Sequence, residues 1–243
     1  MLPILFITFG FGVIGFIDDF KKLVLKNTEG LKPLYKMVGL LIISIIYIIY
    51  LEKILNHGTD ILIPILGTYM TLPIWIYIPF AIMVILATTN AINLTDGIDG
   101  LAASVTAIIV TCLTVIAIIY DVKEMTVYGS IVIGSCIGFL LFNLHTAKVF
   151  MGDTGSLLLG GIIAAMALYL KIPLILILIA IVPILETLSV MIQVAYFKKT
   201  GKRILKMAPL HHHFELSGWR ESKVVSIFGA ITLIACIIGI LIV

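Results

Sequence analysis

Charged residues are scarce in this sequence, and the scarcity excludes most water-soluble folds. Only 12% of its 243 residues are Asp, Glu, Lys or Arg, whereas 61% are hydrophobic and the mean hydropathy is +1.23. A soluble domain of this size would carry about twice that share of charged residues. The composition therefore predicts a protein that lies in a lipid bilayer.

Cysteine is also scarce, and its placement excludes a disulfide framework. Cys112, Cys136 and Cys236 lie far apart within apolar stretches and lack the spacing of metal ligands. Such cysteines are typical of small buried core residues. The sequence also lacks a Walker-type glycine loop and a nucleophilic Ser/His pairing. Any chemistry must therefore depend on other residue types.

Apolar runs of nearly twenty residues recur along the chain, which is the length a helix needs to cross a bilayer. Because a segment in lipid must satisfy its own backbone hydrogen bonds, each run is predicted to be a helix. We therefore expect an all-α, polytopic membrane protein with eight spans, at residues 2–17, 34–51, 73–89, 101–120, 125–144, 156–170, 173–197 and 224–243.

Basic residues are concentrated in the connections that eight spans would place on one side of the membrane. Of the 16 Lys and Arg residues, only Lys53, Lys123 and Lys171 fall on the other side. By the positive-inside rule, the side with the excess is the cytoplasm. A basic surface there suits anionic lipids or phosphate-bearing substrates.

Four polar stretches interrupt the apolar runs, and all of them fall on the predicted cytoplasmic side. The first contains Asp18 and Asp19, which disfavour each other's ionisation unless a cation lies between them. The second, residues 90–101, has Asn or Asp at every third position from residue 90 to residue 99. Because three-residue steps drift around a helix, these four side chains cannot share one face. A helix cap explains one such residue rather than four.

The third and fourth polar stretches contain groups suited to phosphate and base recognition. Asp153 and Thr154 resemble an N-cap with free backbone N–H groups, which would bind phosphate. Phe150 is a candidate platform for stacking on a base. The fourth stretch has three consecutive histidines, residues 211–213, which cannot all face one ion from a regular helix. We expect them to position a phosphate or sugar instead.

Glu186 lies inside the seventh predicted span, three residues after Pro183. Proline interrupts the hydrogen-bond ladder of a helix. We expect Glu186 to serve the backbone groups that the proline frees, which is a structural role rather than a catalytic one.

Together the polar stretches offer oxygen and imidazole groups but no thiolates. The candidates are Asp18, Asp19, Asn93, Asp96, Asp99, Asn143, Asp153, His211, His212 and His213. Oxygen ligands suit Mg²⁺, which binds through one or two carboxylates plus substrate phosphates. Nearby lysines and a helix N-terminus would stabilise the charge of phosphoryl transfer. The residues therefore predict magnesium-dependent phosphate chemistry at the cytoplasmic membrane face, with no nucleic-acid partner.

Four motifs resemble, in order, the signature blocks of the polyprenyl-phosphate sugar-1-phosphate transferases. They read Phe-Ile-Asp-Asp at 16–19, Asn-Leu-Thr-Asp-Gly-Ile-Asp-Gly at 93–100, Phe-Met-Gly-Asp-Thr-Gly-Ser at 150–156 and Pro-Leu-His-His-His-Phe-Glu at 209–215. The last block is specific to the branch that makes lipid I for bacterial peptidoglycan. The resemblance implies transfer of phospho-MurNAc-pentapeptide from UDP-MurNAc-pentapeptide to undecaprenyl phosphate, with Mg²⁺ and release of UMP. It also implies a homodimer in the bacterial inner membrane.

The resemblance further implies a role for each matching residue. Asp153 would hold Mg²⁺ at the diphosphate, Asp18 and Asp19 would deprotonate or orient the lipid phosphate, and Lys22 would contact phosphate. The donor would be bound by Asn93, by a nucleoside pocket of Leu94, Asp96, Gly97, Asp99, Asn143 and Phe150, and by His211, His212 and His213. The sequence leaves open direct attack by the lipid phosphate and a two-step route through an aspartyl intermediate. We favour direct attack, because no feature demands a covalent step.

Members of this family usually have ten spans, with two helices and a substrate-contacting motif before the block that matches the first span here. We therefore expect residues 1–243 to form a single transmembrane transferase domain, truncated at its N-terminus, and an inactive fragment is one alternative. A sibling GlcNAc-1-phosphate transferase is a second, although it should lack the triple-histidine block. A cation transporter is a third, but it predicts carboxylates near mid-span, where only Glu186 lies.

Overall fold

The computed structural model describes residues 1–26 and 30–243, and this part of the chain is mostly helical. Its α-helices are α1 (Leu2–Leu23), α2 (Pro33–Ile49), α3 (Ile74–Thr95), α4 (Leu101–Ile119), α5 (Lys123–Asn143), α6 (Gly152–Tyr169), α7 (Leu176–Ile179), α8 (Ile181–Thr200), α9 (Leu210–Glu215) and α10 (Glu221–Leu241). A π-helical turn, Tyr50–Ile54, continues α2, and a 3-10 turn, Pro173–Ile175, precedes α7. The strands β1 (Asp60–Ile63) and β2 (Thr68–Thr71) form a hairpin.

Eight helices in the described part of the chain are long and apolar enough to cross a membrane, namely all except α7 and α9. The prediction of an all-α, polytopic protein with eight spans is therefore confirmed. The first span runs on to Leu23, beyond its predicted end at residue 17. Asp18 and Lys22 form an ion pair across this added turn, and a pair at that spacing stabilises a helix.

The predicted span at residues 173–197 is wrong as a single helix. The chain leaves helical geometry at Ala180, and α8 begins at Ile181. Pro183 has no N–H to donate to the carbonyl four residues earlier, so a continuous helix through this point would lose a hydrogen bond. The segment consequently divides into the short α7 and the spanning α8.

Helix α6 lies at the centre of the bundle and packs mainly against α1 and α3. Its sequence is rich in small residues, which allow helix backbones to approach closely in a membrane. A Cβ at Gly15 of α1 would overlap the backbone of Asp153 at the start of α6. Glycine at this position therefore lets the two aspartate-bearing helix ends come together.

The two ends of the bundle differ in character. At one end the β1–β2 hairpin, whose presence the alternating isoleucines from residue 61 indicate, pairs Asp60 with Thr71 and Ile63 with Thr68. Asp60 also forms an ion pair with Lys171, with Nζ and Oδ2 3.1 Å apart. At the other end the four polar stretches meet, joined by the contacts described below.

Candidate active site

Three carboxylates converge where the end of α1 meets the start of α6. One oxygen each from Asp18, Asp19 and Asp153 lies within 4.8 Å of the others, so the three could hold a metal ion. Asp18 and Asp19 are adjacent in the last turns of α1 and therefore point in different directions. The cluster accordingly consists of three carboxylates with three different sets of partners.

Asp19 binds the N-terminus of α6. Its Oδ1 accepts the backbone N–H of Asp153 at 3.1 Å, and its Oδ2 accepts the backbone N–H and the hydroxyl of Thr154 at 2.8 and 2.5 Å. A carboxylate at this place satisfies unpaired donors and interacts favourably with the helix dipole. The expectation that these N–H groups are free for phosphate is therefore wrong, because Asp19 already fills the site.

Asp153 lies between two lysines and an asparagine. Its Oδ2 is 2.8 Å from Nζ of Lys36 and 3.2 Å from Nζ of Lys22, and its Oδ1 accepts from the amide of Asn93 at 2.7 Å. The Asn93 amide also donates to the hydroxyl of Ser156 at 2.8 Å. Two cations and an amide donor together hold Asp153 ionised in one orientation.

Asp18 is the most buried of the three carboxylates. Its Oδ1 accepts the backbone N–H of Leu31 at 2.6 Å, and its Oδ2 is 2.5 Å from Nζ of Lys22. Lys22 thus bridges Asp18 and Asp153. The expected cation therefore lies beside Asp18 and Asp153, whereas the neighbouring Asp19 is compensated by the N-terminus of α6.

A cavity of about 260 Å³ adjoins the carboxylate cluster. Phe150 stands at its edge with 76% of its surface exposed, which leaves a ring face free for stacking. Leu94 is not among the lining residues, whereas the other predicted pocket residues are. The full lining is Asp96, Gly97, Ile98, Asp99, Asn143, Phe150, Met151 and Gly152.

Asn143 and Asp99 hold the loops that form this cavity. The Asn143 amide donates to the carbonyl of Val149 at 2.8 Å, and its oxygen accepts the N–H of Gly100 at 3.1 Å. Asp99 Oδ2 accepts the N–H of Ala147 at 2.9 Å. Both side chains therefore join the α3–α4 connection to the α5–α6 connection. Each has at least a partly structural role, because it holds these two loops together.

His145 and Glu221 form a second group with Asp99. Nδ1 of His145 lies 3.4 Å from Oδ2 of Asp99 and 3.5 Å from Oε2 of Glu221. Oε2 of Glu221 also accepts the backbone N–H of Asp99 at 3.3 Å. The first turn of α10 is thus connected to the rim of the cavity.

Asp96 lies just beyond the end of α3 and is half-buried. Burial, which is the largest cause, and the charges of Asp153 and Asp19 together raise the pKa of its carboxyl to about 6, against a smaller opposing effect of His211. Asp96 therefore changes protonation state close to neutral pH.

Replacing Asp96 by Asn is expected to remove a pH dependence of stability. Because the folded pKa of about 6 exceeds the ordinary 3.8, folding favours the protonated form. The stabilisation is complete below about pH 4 and is lost as the pH rises through 6, with a total of at most about 3 kcal/mol. Thermal unfolding in detergent should show Asp96→Asn gaining stability over the parent chain at pH 7.5 but not at pH 4.5. Asp121→Asn, an exposed control, should follow the parent, and equal pH slopes for parent and Asp96→Asn would contradict the assignment.

The three consecutive histidines have three different environments. His211 is buried beside Glu186, His212 places Nδ1 2.6 Å from Oε2 of Glu215, and Nδ1 of His213 accepts the backbone N–H of Lys206 at 3.1 Å. They do not converge on one point, in agreement with the argument against a zinc site built from all three. Only His211 faces the cavity-lining turn at Gly97.

Comparison with known proteins identifies the family. The profile of glycosyl transferase family 4 matches residues 1–171. The phospho-N-acetylmuramoyl-pentapeptide-transferase of Acetivibrio thermocellus is 50% identical over 241 residues, covering 98% of this chain and 72% of the relative. Transferases of the same name are 50% identical in Clostridium novyi, over 95% of this chain and 71% of the relative, and 47% identical in Caldicellulosiruptor bescii, over 96% and 72%.

The chain belongs to the phospho-N-acetylmuramoyl-pentapeptide-transferase family. Family membership and the eight helices make it a multi-pass membrane protein and a transferase. The resemblance drawn from the four motifs is thereby confirmed. The roles of individual residues remain predictions.

Two residues that contact the candidate site, Lys36 and Ser156, were not predicted from the sequence. Lys36 contacts Asp153, but from the sequence it counts only as one of the basic residues that indicate the cytoplasmic side. Its position inside the apolar run 34–51 could have identified it as a site residue. A lysine within a predicted span is unusual unless it has a partner. Ser156, which accepts from Asn93, carried no comparable signal.

Proposed function

We propose that this chain transfers phospho-MurNAc-pentapeptide from UDP-MurNAc-pentapeptide to undecaprenyl phosphate, giving lipid I and UMP in peptidoglycan synthesis. The observation that carries the proposal is the convergence of Asp18, Asp19 and Asp153 with Lys22 and Lys36 in a chain half identical to relatives named for this transfer. The triple-histidine block favours this donor over UDP-GlcNAc.

The site is proposed to face the cytoplasm of a bacterial cell, at the inner membrane. Its end of the bundle carries the connections with the excess of Lys and Arg, which the positive-inside rule assigns to that compartment. Both substrates bring phosphate to this end, where basic residues attract it. A homodimer remains a prediction from the family resemblance.

The lipid acceptor is proposed to enter through an apolar groove between α3 and α8. The groove has a volume of about 280 Å³ and is lined almost entirely by apolar side chains. Ala91 at one end of it lies two residues before Asn93, which binds Asp153. A polyprenyl chain lying there would bring its phosphate towards the carboxylate cluster.

The nucleoside end of the donor is proposed to occupy the cavity beside Phe150. A flat exposed ring offers stacking to a base, a contribution of about 1–3 kcal/mol. Asp99 and Asn143 shape the cavity through their contacts with backbone, as described above. The diphosphate would then lie between this cavity and Asp153.

The carboxylate cluster fits Mg²⁺ by its chemistry. Asp153, with Asp18 and Asp19 nearby, offers the hard oxygen atoms that Mg²⁺ prefers. Oδ1 of Asp153 and Oδ1 of Asp19 each accept one hydrogen bond from the described residues and so retain a lone pair for an ion, whereas the Oδ2 atom of each already accepts two. When bound, Mg²⁺ would neutralise charge on the donor phosphates.

Lys22 and Lys36 would stabilise the negative charge that phosphoryl transfer spreads over the phosphate oxygens. The reaction forms a bond between an oxygen of the lipid phosphate and the β-phosphorus of the donor and breaks the bond to the oxygen bridging the two phosphorus atoms, so UMP leaves with that oxygen. A phosphate monoester is mostly deprotonated at neutral pH, so orientation by Lys22 and Asp18 matters more than removal of a proton.

Direct attack by the lipid phosphate is favoured over an aspartyl intermediate. Asp19 accepts three hydrogen bonds from the start of α6, and Asp18 accepts from Leu31 and pairs with Lys22. A carboxylate so engaged is a poor nucleophile, because attack would break these bonds. The position of these carboxylates opposes the transporter alternative, because they lie near helix ends rather than at mid-span.

Release of UMP by the purified chain in undecaprenyl phosphate–containing detergent micelles tests the function. We expect release with UDP-MurNAc-pentapeptide that depends on Mg²⁺ and stops when the metal is chelated. UDP-GlcNAc should give no turnover, because the triple-histidine block marks the other donor. Turnover of UDP-GlcNAc alone would overturn the choice of donor, and absence of release from both donors would overturn the activity.

A further inference from the structure

Glu186 and His211 form a pair buried in the interior of the bundle. Neither residue has more than 1% of its side chain exposed. Oε1 of Glu186 accepts the backbone N–H of His211 at 3.2 Å, and Oε2 lies 3.2 Å from Nδ1 of the His211 ring. One carboxylate thus contacts both the backbone and the ring of a histidine 25 residues away. The expectation that Glu186 serves the groups freed by Pro183 is therefore wrong.

Burial makes this pairing obligatory. A carboxylate removed from water is costly unless a hydrogen-bonding or charged partner compensates. Oε2 of Glu186 and Nδ1 of His211 lie 3.2 Å apart without hydrogen-bond alignment, and within the described residues neither atom has a hydrogen-bond partner. The carboxylate therefore holds the backbone of His211 through Oε1 and places its charge beside Nδ1 of the ring.

The other ring nitrogen faces the cavity-lining turn. A Cβ built on Gly97 would overlap Nε2 of His211, so the imidazole fills the space that glycine leaves beside this turn. Nε2 is buried and has no hydrogen-bond partner in the described part of the chain. Gly97 and its neighbour Asp96 both line the cavity.

We propose that Glu186 is a positioning residue that acts through His211 on the turn at Asp96 and Gly97. The carboxylate holds the ring from its Nδ1 side, and the ring then supports the turn from behind. The inference rests on the proposed function in one respect, because it takes this turn to be part of the donor site. The influence of His211 on the pKa of Asp96 agrees with their proximity.

Nitrogen-15 spectra of the full chain labelled at histidine test the positioning directly. His211 is assigned by the signals lost in His211→Asn. We expect Glu186→Gln, which keeps the shape but removes the charge, to shift the Nδ1 signal of His211. Thr187→Ala on the same helix, whose hydroxyl donates to the carbonyl of Pro183, should leave it unchanged. An unchanged His211 signal in Glu186→Gln would overturn the proposal.

Kinetics provide the second readout. In Glu186→Gln the KM for UDP-MurNAc-pentapeptide should rise on the order of tenfold, while kcat changes less. Loss of a group that orients a ligand-binding residue typically costs about 10- to 100-fold, and the expected rise is at the lower end of that range. A fall in kcat at unchanged KM would contradict action through the donor site. If Glu186→Gln does not fold, Glu186→Asp replaces it; this variant keeps the charge but shortens the side chain, and it should likewise shift the Nδ1 signal of His211. The spectra decide the positioning even if the parent chain releases no UMP, so the two failures are distinguishable.

Discussion

Asp153→Asn is expected to lower UMP release on the order of 10²- to 10³-fold, the usual cost of removing one charge-stabilising group from an active site. Asn keeps the size of the side chain and its contact with Asn93. It loses the charge that Lys22 and Lys36 share, so Lys22 keeps only Asp18 as a counter-ion and the Lys36 ammonium loses its contact with a carboxylate. Initial rates at saturating Mg²⁺ and donor, compared with the parent chain, measure the effect.

The matched control is Asp60→Asn at the opposite end of the bundle. Asp60 is also paired with a lysine, Lys171, so the same chemical change breaks a comparable ion pair away from the proposed site. Its rate should stay within about twofold of the parent, since an exposed pair contributes little to stability. A near-normal rate for Asp153→Asn would refute the central role given to Asp153.

Lys36→Met is expected to lower UMP release roughly 10- to 100-fold. A hydrogen bond to a charged group contributes about 1.5–3 kcal/mol, which corresponds to that range if the ammonium acts in the transition state. Only 17% of the Lys36 side chain is exposed, against 42% for Lys22, so water replaces Lys36 less readily. Lys22→Met should therefore have the smaller effect of the two in the same assay.

Lys32→Met controls for the loss of a positive charge from the same helix start. Lys32 is exposed one turn before Lys36, and its replacement should change the rate little. The double variant Asp153→Asn with Lys36→Met tests the coupling, because residues in contact are not additive. We expect it to be hardly slower than Asp153→Asn alone; full additivity would show that the two residues act independently.

The sequence was sufficient for the number of spans, and it predicted the three aspartates that meet in the candidate site. Long apolar runs require helices in lipid, and polar residues that interrupt them are costly enough to identify a functional region. The four motifs placed Asp18, Asp19 and Asp153 in one family's site before any contact was known. These inferences depend on local composition and order, which a sequence contains in full.

The partners of the polar groups could not be predicted in the same way. Asp19 accepts hydrogen bonds from the start of α6, Asn93 donates to Asp153, and Glu186 accepts from His211. The partners in each pair are at least 25 residues apart in the chain. The sequence predicts other roles for all three: Asp19 orients or deprotonates the lipid phosphate, Asn93 binds substrate, and Glu186 serves the backbone near Pro183. Which donor reaches which carboxylate depends on how the helices pack, and periodicity along one helix does not contain that information.

By itself, the sequence determined that this protein is a helical membrane protein with acidic and basic groups gathered on one face, because hydrophobicity and the cost of charge in lipid act on each segment separately. The tertiary structure decided which carboxylate binds lysine, which one binds a helix start, and that Lys36 belongs to the site. Those outcomes follow from the close approach of α1 to α6 at Gly15, where a few ångströms decide which donors and acceptors meet.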